Sequence, residues 1–217
     1  MATRLAGLAL TGHREHQKQV LLIGELQHRT RNIFATIGAM VYSTLRANPD
    51  PATFRKIFDG RLSALVRAHS LALDGWDTDL RALLQDILSP YGDMQRIEMN
   101  GPPIRLTQEA AAAFAMAANE LATNATRHGA LSNSDGKIEI KWQVAEDAQN
   151  DLMFELHWSE HDGPPVRKPT KSGFGSRAIT QSLGRAIDGV VDLDFPPQGL
   201  TCAIRAPLTE RLGASPA

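Results

Sequence analysis

The stretch NELATNATRHGALS, residues 119–132, follows an alanine-rich run and determines how the second half of the chain is interpreted. Glu120, Asn124 and Arg127 are separated by four and three residues, so a helix through this stretch places them on one face. A carboxylate, an amide oxygen and a guanidinium in a row suit a magnesium–phosphate assembly, because oxygen ligands hold the hard cation and the cation neutralises phosphate charge. An ordinary amphipathic helix also has polar residues on its solvent-exposed face, but rarely in this order, so a ligand site is the favoured interpretation.

Composition narrows the possible classes of protein. The chain has 217 residues, 42% of them hydrophobic and 22% charged, which allows a buried core in one large or two small domains. With 23 basic and 24 acidic side chains it lacks the basic field that nucleic-acid binding requires. The single Cys202 excludes internal disulfides and suits a reducing cytosol. No apolar run is long enough to span a bilayer, so we expect a cytoplasmic protein without a membrane partner.

The first part of the chain, residues 13–75, has helical periodicity on both sides of a proline-containing break at residues 48–51. This pattern predicts two long helices joined by a short turn. Such a hairpin cannot bury one apolar stripe alone, so we expect a homodimer in which two hairpins form a four-helix bundle. The stripe on the first helix consists of Ile23, Leu26, Thr30, Ile33, Ile37 and Met40.

Residues 76–210 mix helices with strands, which predicts an α+β two-layer sandwich. The predicted helices are Asp79–Leu88, a helix from the N-cap Thr107 to about His128 that Gly129 closes, and one ending near Ile187. The predicted strands are Arg96–Met99, Lys137–Val144, Leu152–Trp158, Val190–Phe195 and Leu200–Ala206.

His28 lies roughly opposite the apolar stripe of the first helix. Glu25 and Asn32 share its face, and Arg29 lies at the flank. Three interpretations are open: a solvated surface histidine, a metal ligand, or a nucleophile that accepts a phosphoryl group. No second His or Cys lies four residues on, which disfavours metal binding. In the third interpretation, Glu25 holds the ring or takes its proton and Arg29 steadies the anion.

Two further segments are compatible with nucleotide binding. In WSEHDG, residues 158–163, acidic side chains end a strand, where a carboxylate could accept a hydrogen bond from an adenine amino group. In GFGSR, residues 173–177, glycines precede a helix and let backbone N–H groups approach an anion. Taken alone, each segment is equally compatible with an ordinary turn or helix-entry loop.

Taken together and in this order, the motifs resemble those of the HWE-type sensor histidine kinases of two-component systems. ELQHRTRNIFATIGAM resembles the family's phosphoacceptor stretch, NELATNATRHGALS its N box, WSEHDGPPV its tryptophan-x-glutamate box and GFGSRAI its second glycine box. The resemblance covers about Leu21 to Pro207. It implies a dimerisation and phosphotransfer hairpin over residues 13–75 and a catalytic domain over residues 76–210 with the GHKL, or Bergerat, ATP-binding fold.

The resemblance also implies the role of individual residues. His28 is the autophosphorylated histidine, and Asn124 binds Mg²⁺ with Glu120 beside it. Glu160 or Asp162 contacts adenine. The catalytic set is then His28, Glu25, Arg29, Asn32 and Glu120. The implied ATP-binding set is Asn119, Asn124, Arg127, His128, Trp158, Glu160, Asp162, Gly163, Gly173, Phe174, Gly175 and Ser176.

One position departs from the family pattern. The family histidine that precedes the N-box glutamate is replaced by Asn119, which either substitutes as a polar contact or lowers activity.

The resemblance implies an ATP- and Mg²⁺-dependent protein-histidine kinase that passes its phosphoryl group to an aspartate of a response regulator. The signal would arrive from a sensory partner, or the chain is a fragment of a longer protein. An alternative is a non-catalytic phosphotransfer or regulator-binding module with a degenerate nucleotide site. A third class, a GHKL ATPase or anti-sigma serine kinase, would not need the His28 hairpin.

Overall fold

The computed structural model describes residues 30–46, 48–72, 78–166 and 178–214, together with Val20, Ile23, Gly24 and Gln27. These residues form two compact units that divide between Pro49 and Asp50. The predicted site residues His28, Glu25 and Arg29, and the glycine segment 173–177, lie outside the described residues.

The first unit contains helix α1, which covers residues 30–46. The predicted apolar stripe is buried at Met40 and half-buried at Ile33 and Ile37. At Ile23 and Thr30 it is exposed. The exposed polar position predicted at Asn32 is confirmed.

The second unit begins with a helix, has further helices between its strands, and ends in strands. Its helices are α2 (Pro51–Ala72), α3 (Leu80–Leu88), α4 (Gln108–His128) and α5 (Gly184–Ala186), the last of which continues a π-helical segment, Ala178–Leu183. Short 3₁₀ turns cover Ser89–Tyr91, Met94–Arg96 and Ala130–Ser132. The strands are β1 (Thr78–Asp79), β2 (Ile97–Asn100), β3 (Arg105–Leu106), β4 (Lys137–Glu146), β5 (Leu152–His161), β6 (Val190–Asp194), β7 (Thr201–Pro207) and β8 (Gly213–Ala214).

The main sheet has five strands in the order β2-β4-β5-β7-β6. Only β2 and β4 pair in parallel, and the other neighbours are antiparallel. A small second sheet, β1-β3-β8, joins the start of α3 to the C-terminal part of the chain. This mixed sheet with helices is the α+β architecture that the sequence predicts.

The core lies between the helices and one face of the main sheet. Along β4 the side chains alternate, with Ile138, Ile140 and Trp142 buried and Lys137 and Lys141 exposed. This period of two is expected of a sheet covered on one face only. The opposing helical layer includes Phe114 of α4, whose ring packs edge-on against that of Phe154 with centroids 6.0 Å apart. The two-layer sandwich is therefore confirmed.

The ends of α4 follow the local sequence signals. Thr107 caps the helix, since its hydroxyl oxygen accepts a hydrogen bond from the Ala110 N–H at 3.2 Å. At the other end the Gly129 N–H donates to the carbonyl oxygens of Asn124 and Ala125, at 3.1 Å in each case. Gly129 has a φ of −113°, so glycine is not required there for a left-handed conformation.

The five predicted strands differ from the observed strands by one to three residues at their ends, most of all at the end of β5. The strand expected at Arg96–Met99 begins at Ile97, because Met94–Arg96 form a 3₁₀ turn capped by the Asp93 carboxylate. The strand expected to end at Trp158 continues to His161, since Glu160 and His161 remain paired with β4. Glu160 therefore lies in the strand, on the same face as Trp158.

Helix α2 begins as the proline-containing break predicts, with Asp50 as a cap whose carboxylate accepts hydrogen bonds from the N–H and hydroxyl of Thr53. Its inner face packs on α4. There Arg61 forms a two-pronged ion pair with Glu120, with Nε–Oε1 at 2.5 Å and Nη2–Oε2 at 2.8 Å. Arg61 is 4% exposed and Glu120 is 6% exposed. The predicted boundaries of the hairpin, residues 13–75, stay a prediction.

Replacing Arg61 by Met should destabilise the second unit by roughly 3–5 kcal/mol, because the Glu120 carboxylate would remain buried without its partner. The matched control is Arg67→Met on the same helix. Arg67 is more exposed and donates to the Asp86 carbonyl oxygen, so we expect a loss of only about 1 kcal/mol. Urea denaturation followed by circular dichroism measures both. Equal losses in the two variants would contradict a special role for the buried pair.

Candidate active site

The three polar residues that the sequence places on one face of α4 differ in accessibility. Glu120 is buried, Asn124 is half-buried and Arg127 is exposed, so exposure rises toward the end of the helix. Both Glu120 oxygens are bound by Arg61, whereas the Asn124 amide and the Arg127 guanidinium lie where a ligand could reach them. His128, beside Arg127, is also exposed.

These residues fit a magnesium–phosphate ligand only in part. Within the described ranges, no cluster of three or more His, Cys, Asp or Glu side chains could hold a metal ion. Asn124 offers an amide oxygen, and Glu120 offers a carboxylate only if Arg61 releases an oxygen. Mg²⁺ commonly takes one or two protein ligands and completes its shell with phosphate oxygens and water. The donors on α4 fit that sparse mode of binding.

Asn119, which stands where the family that the chain resembles has a histidine, is held by two consecutive hydrogen bonds. The Tyr91 hydroxyl donates to Asn119 Oδ1 at 2.5 Å, and the Thr123 hydroxyl donates to the Tyr91 oxygen at 3.3 Å. Asn119 is 5% exposed, so its carbonyl oxygen is buried with a partner. Tyr91 is not among the site residues that the sequence predicts, and it lies in the 3₁₀ turn that follows α3. An aromatic residue with a polar tip inside a Ser-Pro-Tyr-Gly turn was the available signal.

At the end of β5, the candidate site contains a buried carboxylate, that of Glu160. Glu160 is 3% exposed, and its Oε2 accepts a hydrogen bond from the Ala130 N–H at 2.8 Å. Its Oε1 and the indole Nε1 of Trp158 are both buried, and neither forms a well-directed hydrogen bond within the described part of the chain. Burial raises the Glu160 pKa above its usual range, opposed by the Ala130 N–H and the nearby Trp158 indole.

Asp162, the other acidic candidate for an adenine contact, lies in a different environment. It is exposed and has a φ of 58°, so it occupies a left-handed turn position just beyond β5. Its carbonyl oxygen accepts from the Asn133 side-chain amide at 2.9 Å. Gly163 follows, and a Cβ there would approach Ala130 Cα to 2.7 Å. The described geometry gives Asp162 and Gly163 a role in the turn, and Glu160 the buried acceptor.

The end of α4 and the end of β5 meet at Gly129 and Ala130. Gly129 binds the Asn124 carbonyl oxygen through its N–H, and a Cβ on it would overlap Glu160 Oε2. Ala130 then donates to that same oxygen. The described structure therefore brings Asn124, Glu160 and Trp158 to adjoining elements.

Replacing Glu160 by Gln should make stability less dependent on pH. A carboxyl group whose pKa is raised on folding stabilises the fold fully below about pH 4.5, and that contribution is lost as the pH rises through the folded-state pKa. Gln cannot ionise, so Glu160→Gln should exceed the wild type in melting temperature at pH 7, with a smaller difference at pH 4. Thermal denaturation between these values tests this. A difference that grows on acidification would contradict the burial argument.

Comparisons with known proteins identify the family. Residues 25–103 match the family model described as HWE histidine kinase. The blue-light-activated histidine kinase of Brucella anthropi is 33% identical over 195 residues, which cover 88% of this chain and 40% of the relative. The corresponding protein of Brucella ovis matches with the same identity and coverage. The chain thus spans about 40% of the length of these relatives.

Solved structures agree in fold. The Erythrobacter litoralis EL346 blue-light activated histidine kinase superposes with a TM-score of 0.56 at 19% identity, covering 87% of this chain and 63% of that one. Its isolated histidine kinase domain gives a TM-score of 0.53 at 18% identity, over 71% of this chain and 76% of that one. Among the residues with described structure, no helix is long and apolar enough to cross a membrane. Because a histidine kinase relative is 33% identical over 88% of this chain and the family model matches residues 25–103, this chain belongs to the HWE histidine kinase family.

Proposed function

We propose that this chain is an ATP-dependent protein-histidine kinase that phosphorylates its own His28 and passes the phosphoryl group to an aspartate of a response regulator. The observation that carries the proposal is the extent of the similarity. The 33% identity to histidine kinases runs over 88% of the chain and therefore includes both the His28 stretch and the candidate nucleotide site. The accessible donors on α4 and the buried acceptor on β5 support it.

In this proposal the nucleotide is held from two sides. Glu160 accepts a hydrogen bond from the adenine amino group through Oε1, which has no well-directed partner within the described ranges and lies near the Trp158 indole. Asn124 and Arg127 of α4 hold the phosphate end, with His128 beside them. Gly173, Phe174, Gly175 and Ser176 would supply backbone N–H groups for the phosphates. Asn124 would hold Mg²⁺, whose positive charge would offset the negative charge that develops on the departing ADP.

The transfer is an in-line displacement at the γ-phosphorus. A ring nitrogen of His28 forms a bond to phosphorus while the bond to the oxygen between the β- and γ-phosphates breaks, and ADP leaves with that electron pair. Glu25 takes the proton lost by the imidazole, or holds the ring, while Arg29 steadies the phosphoryl oxygens and Asn32 completes the polar face. The phosphoryl group then moves from His28 to a carboxylate oxygen of the regulator.

We further propose a homodimer formed through the 13–75 hairpin and a separate sensory partner that supplies the signal. Support for the dimer comes from α1, where Phe34, Val41 and Leu45 are spaced by seven and four residues and therefore share one side of the helix. Phe34 is 68% exposed and Leu45 is 51% exposed. An exposed apolar strip over three turns of a helix favours packing against the apolar surface of a second helix, as in a dimer.

His28→Ala should abolish labelling by γ-labelled ATP and Mg²⁺ while leaving ATP binding unchanged. Wild-type label should be acid-labile and base-stable, as expected of a phosphoramidate. His157→Ala is the control, since His157 is exposed on the outer face of β5 and should retain full labelling. Persistent label in His28→Ala would refute the assignment. A wild-type protein that neither binds ATP nor becomes labelled would favour the non-catalytic phosphotransfer module instead.

The dimer has its own test. Phe34→Glu combined with Leu45→Glu should weaken self-association at least tenfold, because charges would have to be buried between the helices. Ala39→Glu, at an exposed position on another side of α1, is the matched control and should leave association unchanged. Sedimentation equilibrium measures both. An unchanged dimer in the double variant would exclude this strip from the interface.

A further inference from the structure

The loop between α4 and β4, residues 129–136, is bound by a side chain from outside the predicted site. The Arg96 guanidinium donates to three of its carbonyl oxygens. Nε reaches the Gly136 oxygen at 2.8 Å, while Nη2 reaches that oxygen at 2.6 Å, the Asn133 oxygen at 2.7 Å and the Ala130 oxygen at 3.2 Å. A planar guanidinium suits several acceptors at once, which an ammonium group cannot match in geometry.

The same loop is tied to the end of β5 on its other side. The Ala130 N–H donates to Glu160 Oε2 at 2.8 Å, and the Asn133 side-chain amide donates to the Asp162 carbonyl oxygen at 2.9 Å. A Cβ on Gly136 would overlap the Ala130 carbonyl oxygen. The loop is therefore packed too closely to shift without losing these bonds.

These contacts determine which oxygen of the Glu160 carboxylate remains available to a ligand. One of its oxygens is engaged by Ala130, and the other is buried near the Trp158 indole without a well-directed hydrogen bond from any residue that the structure describes. A buried carboxylate oxygen without a donor is costly, so a donor from a ligand is favoured there. The position of Ala130 sets which oxygen remains available, and Arg96 binds the Ala130 carbonyl oxygen as well as the far end of the loop.

We propose that Arg96 is a positioning residue for the nucleotide base: by holding the loop 129–136, it orients Glu160 so that one carboxylate oxygen is left to accept the amino group of adenine. This role rests on the proposed function, because it requires a nucleotide at Glu160. Arg96 acts through the loop and does not itself touch the base.

The chain offers a matched control for a purely structural effect. Arg81 is half-buried like Arg96 and also binds backbone carbonyl oxygens, those of Met99 at 2.8 Å and Gly101 at 3.0 Å. Its guanidinium carbon lies 4.8 Å from the centroid of the Trp142 ring. Loss of Arg81 removes comparable bonds from the same compact unit but none from the loop 129–136.

The test is calorimetric titration of the full chain and its variants Arg96→Met, Arg96→Lys and Arg81→Met with ATP and ITP, each with Mg²⁺. ITP carries a carbonyl oxygen in place of the adenine amino group. Wild-type protein should prefer ATP. Arg96→Met should weaken ATP binding about tenfold and ITP binding less than twofold, so the preference falls. Arg81→Met should keep the preference, whatever its stability, and Arg96→Lys should lie between Arg96→Met and wild type.

Circular dichroism at the titration temperature establishes whether each variant is folded. If Arg96→Met is not folded, Arg96→Lys replaces it in the comparison. Arg96 variants that keep the wild-type preference for ATP would overturn this role while leaving the proposed function intact. A loss of preference in Arg81→Met equal to that in Arg96→Met would overturn it too, since the effect would then be general. Wild-type protein that binds neither nucleotide would refute the proposed function, and the Arg96 role with it.

Discussion

Glu160 Oε2 accepts a hydrogen bond from the Ala130 N–H, and this bond joins the end of strand β5 to the loop that follows helix α4. The rest of the candidate site depends on this junction. One residue earlier, Gly129 binds the Asn124 carbonyl oxygen, so the amide-bearing turn of α4 and the buried carboxylate are linked through two consecutive backbone groups. Gly129 leaves space for the carboxylate, since a Cβ would overlap it. In the proposed function Glu160 holds the base and Asn124 the phosphates, and these backbone hydrogen bonds fix the distance between the two side chains.

The polar face of α4 has a buried part and an accessible part. In the buried part Glu120 pairs with Arg61 of α2, and this pair contributes to packing. Toward its outer end Asn124 and Arg127 remain accessible. In the proposed mechanism Glu120 can contact magnesium only if Arg61 releases one of its oxygens, because the guanidinium binds both. Asn124 carries no such restriction, which makes it the more direct ligand.

Local signals predicted much of the fold. Thr107 and Gly129 delimit α4 because caps act through bonds to residues within one helical turn. The alternation in β4 and the proline-containing start of α2 are equally local. The end of β5 was placed too early, because pairing with β4 extends the strand through the charged residues Glu160 and His161. The family and fold followed from the order of the motifs, and the roles of His28 and the segment 173–177 stay predictions.

By itself, the sequence determined the periodicity of each element, the face on which Glu120, Asn124 and Arg127 lie, and the family. Only the tertiary structure decided which of those side chains a ligand can reach. Arg61 and Glu120 are 59 residues apart, and Arg96 lies 34 residues from Ala130, so no helical or strand period relates them. The different environments of Glu160 and Asp162 have the same origin, and which of the two contacts adenine stays a prediction. Burial and the direction of a single N–H distinguish two carboxylates that are two positions apart, and both properties arise only when distant segments pack together.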